Sequence, residues 1–83
     1  MKTINYQTSG TCSRQIDIEV NDDNTVASVK FHGGCNGNTQ GISMLVKGMK
    51  VDDVINRLQG ITCGNKSTSC PDQLAQALRN TLV

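Results

Sequence analysis

The residues best equipped for chemistry in this chain are four cysteines, Cys12, Cys35, Cys63 and Cys70. Each sits in a break rich in Gly, Ser, Thr or Asn: GTCS, HGGCNGN, ITCGN and STSCPD. A cysteine that only packs usually belongs to the apolar stripe of a helix or strand, as a small hydrophobe. Thiols at element ends are where metal ligands, redox pairs and nucleophiles are found. Four soft ligands from separate segments would suit tetrahedral Zn²⁺ or an iron–sulfur cluster. Their spacing forms no motif, since C-x-x-C is absent and six residues separate Cys63 from Cys70. Disulfide pairing is the alternative, with no pairing deducible from sequence.

Two other features could carry chemistry. His32 is the only histidine, and its strand parity places it on the sheet face opposite Cys12. A nucleophile and its base must lie within hydrogen-bond reach, so His32 reads as a solvent-facing residue rather than a partner of a thiol. The glycine-rich stretch from Gly33 to Gly41 leads into a helix. Backbone amides at Gly34, Gly37 and Asn38 could cradle a phosphate there. The stretch lacks the Lys and Ser/Thr of a P-loop, and GxGxxG does not occur. A tight turn that places Cys35 is its ordinary role.

The elements that must position these residues follow from periodicity. Thr3 to Gln7 reads as a short strand. Ile16, Ile18 and Val20 alternate with Asp17 and Glu19, and Ala27, Val29 and Phe31 alternate with Ser28, Lys30 and His32. Such alternation marks half-buried strands, joined here through the turn Asn21-Asp22-Asp23-Asn24. Pairing Val20 with Thr25 sets Ile18 against Ala27, Ile16 against Val29 and Cys12 against Gly33. Cys12 and Cys35 then share the face to be covered by helices. A helix follows with Ile42, Leu45, Val46 and Met49 inward. Met44 and Met49 fit its packing pattern or its margin. A second helix begins at Asp52 and Asp53, carries Val51, Val54, Ile55 and Leu58, and stops at Gly60. Pro71 suits the first position of a last helix with Leu74, Leu78 and Leu82 inward. The order predicts an α+β fold, a three-stranded antiparallel sheet with three helices on one face, in one domain over residues 1–83.

Cys35 and Cys70 each precede a helix, where unsatisfied N–H groups and the positive dipole end favour an anionic ligand. Asp72 competes for that end in the last helix.

Composition narrows the function classes. Of 83 residues 36% are hydrophobic, and Tyr6 and Phe31 are the only aromatics. So lean a core calls for a staple, a metal or a partner chain, and it allows a homodimer. Eight basic and seven acidic residues leave a net charge of +1. With no basic stripe and few stacking rings, nucleic-acid binding is not expected. No apolar run has signal-peptide or membrane-spanning length. The expected location is the cytoplasm, where clustered cysteines more often mean metal or redox chemistry than stable disulfides.

At Thr68-Ser69-Cys70-Pro71-Asp72 the chain resembles the TSCPD domain family. The likeness extends through GTCSRQIDIEV, VKFHGGCNGNTQGISMLVKGM and ITCGNKSTSCPDQLAQAL and covers nearly the whole chain. That family occurs at the C-terminal end of many cobalamin-dependent ribonucleotide reductases and as small stand-alone proteins. The chain is also distantly similar to U-type iron–sulfur cluster scaffolds. Cys12, Cys35, Val46-Lys47-Gly48 and Cys70 fall in the order of that pattern, so three thiols match its cluster cysteines. The scaffold pattern has Asp where this chain has Arg14 and His where it has Ser69. Cys63 has no counterpart in it.

Together these readings imply a metal-binding accessory module associated with ribonucleotide reduction and deoxyribonucleotide supply, with a ribonucleotide reductase or another protein as partner. Cys12, Cys35, Cys63 and Cys70 would form one site, zinc first and an iron–sulfur cluster second. The rival readings are a thiol–disulfide relay using Cys63 and Cys70, a cluster scaffold, and a metal-free interaction module. A chain of this length is not expected to supply the reductase reaction by itself.

Overall fold

In this computed structural model, residues 1–10, 13–33, 36–62, 64 and 67–82 are described. Three antiparallel strands come first: β1 (Lys2–Gln7), β2 (Ser13–Val20) and β3 (Val26–Gly33), with β2 in the middle. Three helices follow, α1 (Asn36–Val46), α2 (Val51–Leu58) and α3 (Cys70–Leu82). The α+β architecture expected from the alternation is the one observed.

Pairing lines up residues of one kind across the sheet. Ile4 meets Ile18, which meets Val29, and Tyr6 meets Ile16, which meets Phe31. Ile16 and Ile18 are wholly buried, and with Val20, Val26, Val54, Leu74 and Leu78 they form the fully buried centre of the core. The opposite face carries the polar rows Asn5–Asp17–Lys30 and Gln7–Gln15–His32. A period of two thus separates a core face from a wet face, and burial of the former provides the main drive to fold.

The hairpin register differs from the sequence expectation by two residues. Ile18 pairs with Val29 rather than Ala27, and Ile16 pairs with Phe31 rather than Val29. Two local causes add up. The loop spans Asn21 to Thr25, closed by Asn21 N–H on Thr25 O at 2.8 Å, with Asn24 at a φ of 63°. A bulge between Glu19 and Val20 then contributes one more residue. A shift of two preserves parity, so the faces are retained, except that Val26 is buried at the bulge and Ala27 is only half-buried. At the far end Ser13 pairs with Gly33, a second irregularity lies between Ser13 and Gln15, and Cys12, the expected partner of Gly33, lies outside the described residues.

Helix α1 is rotated relative to the expectation. Thr39 and Val46 are buried with Ile42 and Ser43 half-buried, whereas Met44 and Leu45 are 69% and 77% exposed. The helix stops at Val46 because Gly48 takes a φ of 86° and the chain turns onto the edge of β3. There Gly48 N–H donates to Val26 O at 2.8 Å and Val26 N–H donates to Met49 O at 2.9 Å. Met49 therefore reaches the core from this turn and not from the helix.

Helix α2 buries Val51, Val54 and Ile55, with Asp52 and Asp53 in its first turn and Arg57 in its last, as the macrodipole favours. Helix α3 buries Leu74, Ala75, Ala77 and Leu78 and packs on α2. Its first residue is Cys70, so Pro71 stands second rather than first. Neither position needs an intrahelical N–H.

Candidate functional site

The start of α3 gathers most of the buried polar side chains among the described residues. Thr68, Ser69, Asp72 and Gln73 are all buried, and Thr39 is the other member of that group. Burying such groups costs stability unless their hydrogen bonds are made. Here each is engaged. Ser69 caps the helix: its Oγ accepts from Asp72 N–H at 3.2 Å, and its carbonyl receives Gln73 N–H at 2.8 Å. The same hydroxyl donates to Ile61 O at 2.6 Å.

The Asp72 carboxylate accepts from three donors. Gly60 N–H reaches Oδ1 at 2.7 Å, while Thr68 Oγ1 and Gln76 Nε2 (2.7 Å) reach Oδ2. Burial pushes this carboxyl up, but the bonds from Thr68, Gly60 and Gln76 and the charge of Arg79 outweigh it and hold it below the usual carboxylate value. Gln73 continues the chain of bonds. Its Nε2 donates to Thr68 Oγ1 at 3.0 Å, and its Oε1 accepts Ser9 N–H at 3.2 Å. Gly10, at a φ of 77°, lies so close that an added Cβ would stand 3.0 Å from Thr68 Cγ2.

Four of the five residues Thr68-Ser69-Cys70-Pro71-Asp72 thus serve the local structure. Thr68 links, Ser69 caps, Pro71 fits a helix start and Asp72 ties down the preceding loop. Cys70 is the remaining one, buried as the first residue of α3. A family model for the TSCPD domain matches residues 2–82. The chain belongs to the TSCPD domain family. Comparison with curated proteins and with solved structures returns no match.

The signature pentapeptide of this TSCPD domain is therefore largely a device for building one helix start. Of the cysteines expected to share a site, Cys12, Cys35 and Cys63 lie outside the described residues, as does Gly34 of the expected phosphate loop. Gly37 and Asn38 are exposed in the first turn of α1. The described neighbours of the cysteines in sequence do come together. Ser13, next to Cys12, pairs with Gly33, two residues before Cys35. Gly10, two residues before Cys12, abuts Thr68, two residues before Cys70. Ile61, two residues before Cys63, receives the bond from Ser69, next to Cys70.

Other donors in the chain are engaged elsewhere. His32 Nε2 lies 2.6 Å from Asp17 Oδ2 on the outer face, which agrees with its expected solvent-facing role. Asp17 also accepts from Gln15 at 2.7 Å and Asn5 at 2.8 Å. Bonds from Gln15, His32 and Asn5 lower its pKa to about 2. Among the described residues no group of three or more His, Cys, Asp or Glu side chains could hold a metal ion, and no helix is long and apolar enough to cross a membrane.

Sequence reasoning did not single out Gln73 or Ser9, and it read Gly60 only as the stop of the second helix. One signal was present. Gln73 stands four residues before Ala77, and a polar side chain in phase with a buried helix stripe must find internal partners.

Proposed function

We propose that Cys12, Cys35, Cys63 and Cys70 form one metal site, zinc first, in an accessory module associated with ribonucleotide reduction. The observation that carries this reading is the meeting of their flanking residues: Ser13 with Gly33, Gly10 with Thr68, and Ile61 with Ser69. Two residues of chain span at most about 7 Å, so flanks in contact are compatible with four thiols sharing one neighbourhood. The donor chemistry agrees. Asp72 and His32 are engaged with other partners, and an all-thiolate set suits tetrahedral Zn²⁺.

The protein's part is to bring four thiols into register, shed their protons on binding, and couple metal to fold through the three contacts above. Zinc bound there would supply a closed structural cross-link. The link to ribonucleotide reduction rests on the company the TSCPD family keeps.

Anaerobic purification followed by metal analysis and an absorption spectrum tests the proposal. Stoichiometric zinc, with a melting temperature lowered by a chelator, is expected, because a ligand of the native state stabilises it. Visible charge-transfer bands would replace zinc by an iron–sulfur cluster. Metal-free protein with a titratable Cys63–Cys70 disulfide would overturn the site in favour of a thiol relay.

A further inference from the structure

We infer that the outer edge of β3, where α1 flanks it, is a docking crevice for an extended segment of a partner protein that alternates apolar and acidic residues. The inference is independent of the metal site proposed above. A crevice of about 350 Å³ opens between the two elements. It is lined by Val29, Lys30 and Phe31 of β3 and, along one side of α1, by Thr39, Ser43 and Met44. Successive strand residues point to opposite faces, so what three consecutive ones share is the edge of the strand. That edge is open. Val26 is held there by Gly48 N–H and Met49 O, and Thr25 bridges Lys50. Past Val26, among the described residues, the backbone of β3 bonds to β2 alone. Unpaired N–H and C=O groups on an edge are a template for another strand. The turn at Gly48–Lys50 already uses this edge in that way, so an added strand continues a row of bonds the chain itself begins.

The walls decide which side chains the added strand needs. Val29 and the half-buried Phe31 give an apolar surface on the inner side. Met44, 69% exposed, supplies an adaptable apolar wall facing them across the crevice. Lys30, on the outer side, is the one charged residue of the lining and makes no ion pair among the described residues. Helix α1 carries no charge at all. The charge that fits is therefore negative and belongs on the outer side of the added strand, with apolar residues next to it on the inner side. Charge also decides against a second copy of the chain. Two β3 edges paired about a twofold axis at the crevice would bring Lys30 toward Lys30. The other edge of the sheet, β1, offers Lys2 and no acid. Like charges set against each other in this way reject a wrong partner.

The test uses the full chain as purified. A displayed library of random linear peptides is selected on it, and the best binder is resynthesised. Its Kd is read by fluorescence anisotropy and its site by backbone amide shifts. Enriched peptides are expected to alternate apolar and acidic residues, with shifts on Val29 to Phe31 and on the Met44 side of α1. Met44→Asp is expected to weaken the best binder about 10-fold or more, through lost apolar contact. Lys30→Glu is expected to weaken it about 2- to 5-fold, and to recover that loss with a peptide whose acid is replaced by lysine. Both variants change exposed side chains, so each is expected to fold. Failure to enrich any peptide, or a binder whose affinity neither variant changes, would overturn the inference. Shifts at Val29 to Phe31 on concentrating the protein alone would also overturn it, by giving the edge to a second copy.

Discussion

Two carboxylates in this protein are built alike and placed in opposite surroundings. Asp17, on the outer face of the sheet, accepts from Gln15, Asn5 and His32. Asp72, at the start of α3, accepts from Gly60, Thr68 and Gln76. Both are held below the ordinary carboxylate pKa. The Asp17 cluster joins side chains of adjoining strands whose pairing the backbone has already fixed, and water can replace each bond. The Asp72 cluster ties the loop before α3 to the helix start, and through Gln73 to the end of β1, in a place that water does not reach freely. Hydrogen bonds of the same kind therefore decorate one region and organise the other.

The largest effect should come from Asp72→Ala. It leaves the buried Thr68 hydroxyl proton without its acceptor and releases the Gly60 loop, and is expected to cost about 2–4 kcal/mol in urea unfolding. Asp17→Ala should leave the urea midpoint nearly unchanged. A comparable loss from both would erase the distinction between the clusters.

Next in size is Ser69→Ala, which removes the helix cap and the bond to Ile61, for about 1 kcal/mol. If zinc affinity falls with it, capping and site geometry are coupled. If stability alone falls, the cap serves only the helix.

The smallest effect concerns pH and salt. A carboxyl whose folded pKa lies below its unfolded value stabilises the fold above the unfolded value, and that contribution is lost as pH falls through the folded value. For Asp17 the window runs from its ordinary 3.8 down to about 2. Acid unfolding of Asp17→Asn is expected to be flatter across that window than that of wild type, by a margin that shrinks in high salt. A salt-insensitive difference would show that the outer cluster is shielded from solvent after all.

Much of the fold was legible from side-chain period. Ile16, Ile18 and Val20 against Asp17 and Glu19 gave β2 and its inner face, and Val51, Val54 and Ile55 gave α2. The hairpin register was less legible, because a loop one residue longer and a bulge are local adjustments that leave parity, and hence the hydrophobic pattern, unchanged. The phase of α1 was misread for a related reason. Residues 36–46 carry no charge and few large apolar groups, so the pattern weakly defines a face. Docking of Gly48 and Met49 on β3 then chose the one with Thr39 and Val46. At the candidate site, Cys70 beside a helix start followed from Pro71, which suits a first helical position, although the helix begins one residue earlier. The role of Gln73 did not, since its partners Ser9 and Thr68 are set by packing between distant segments.

The sequence alone determined which segments would be strands and helices, which face of the sheet would be wet, and that the last helix would start beside Cys70 and Pro71. These are nearest-neighbour properties, carried by alternation, helical phase and the preference of proline for a helix start. The tertiary structure alone decided that Ser9, Gly60, Ile61 and Thr68 would meet around α3. Such a meeting depends on how β1, the loop after α2 and α3 pack together, and no local pattern encodes a contact between segments more than fifty residues apart, as Ser9 and Gln73 are.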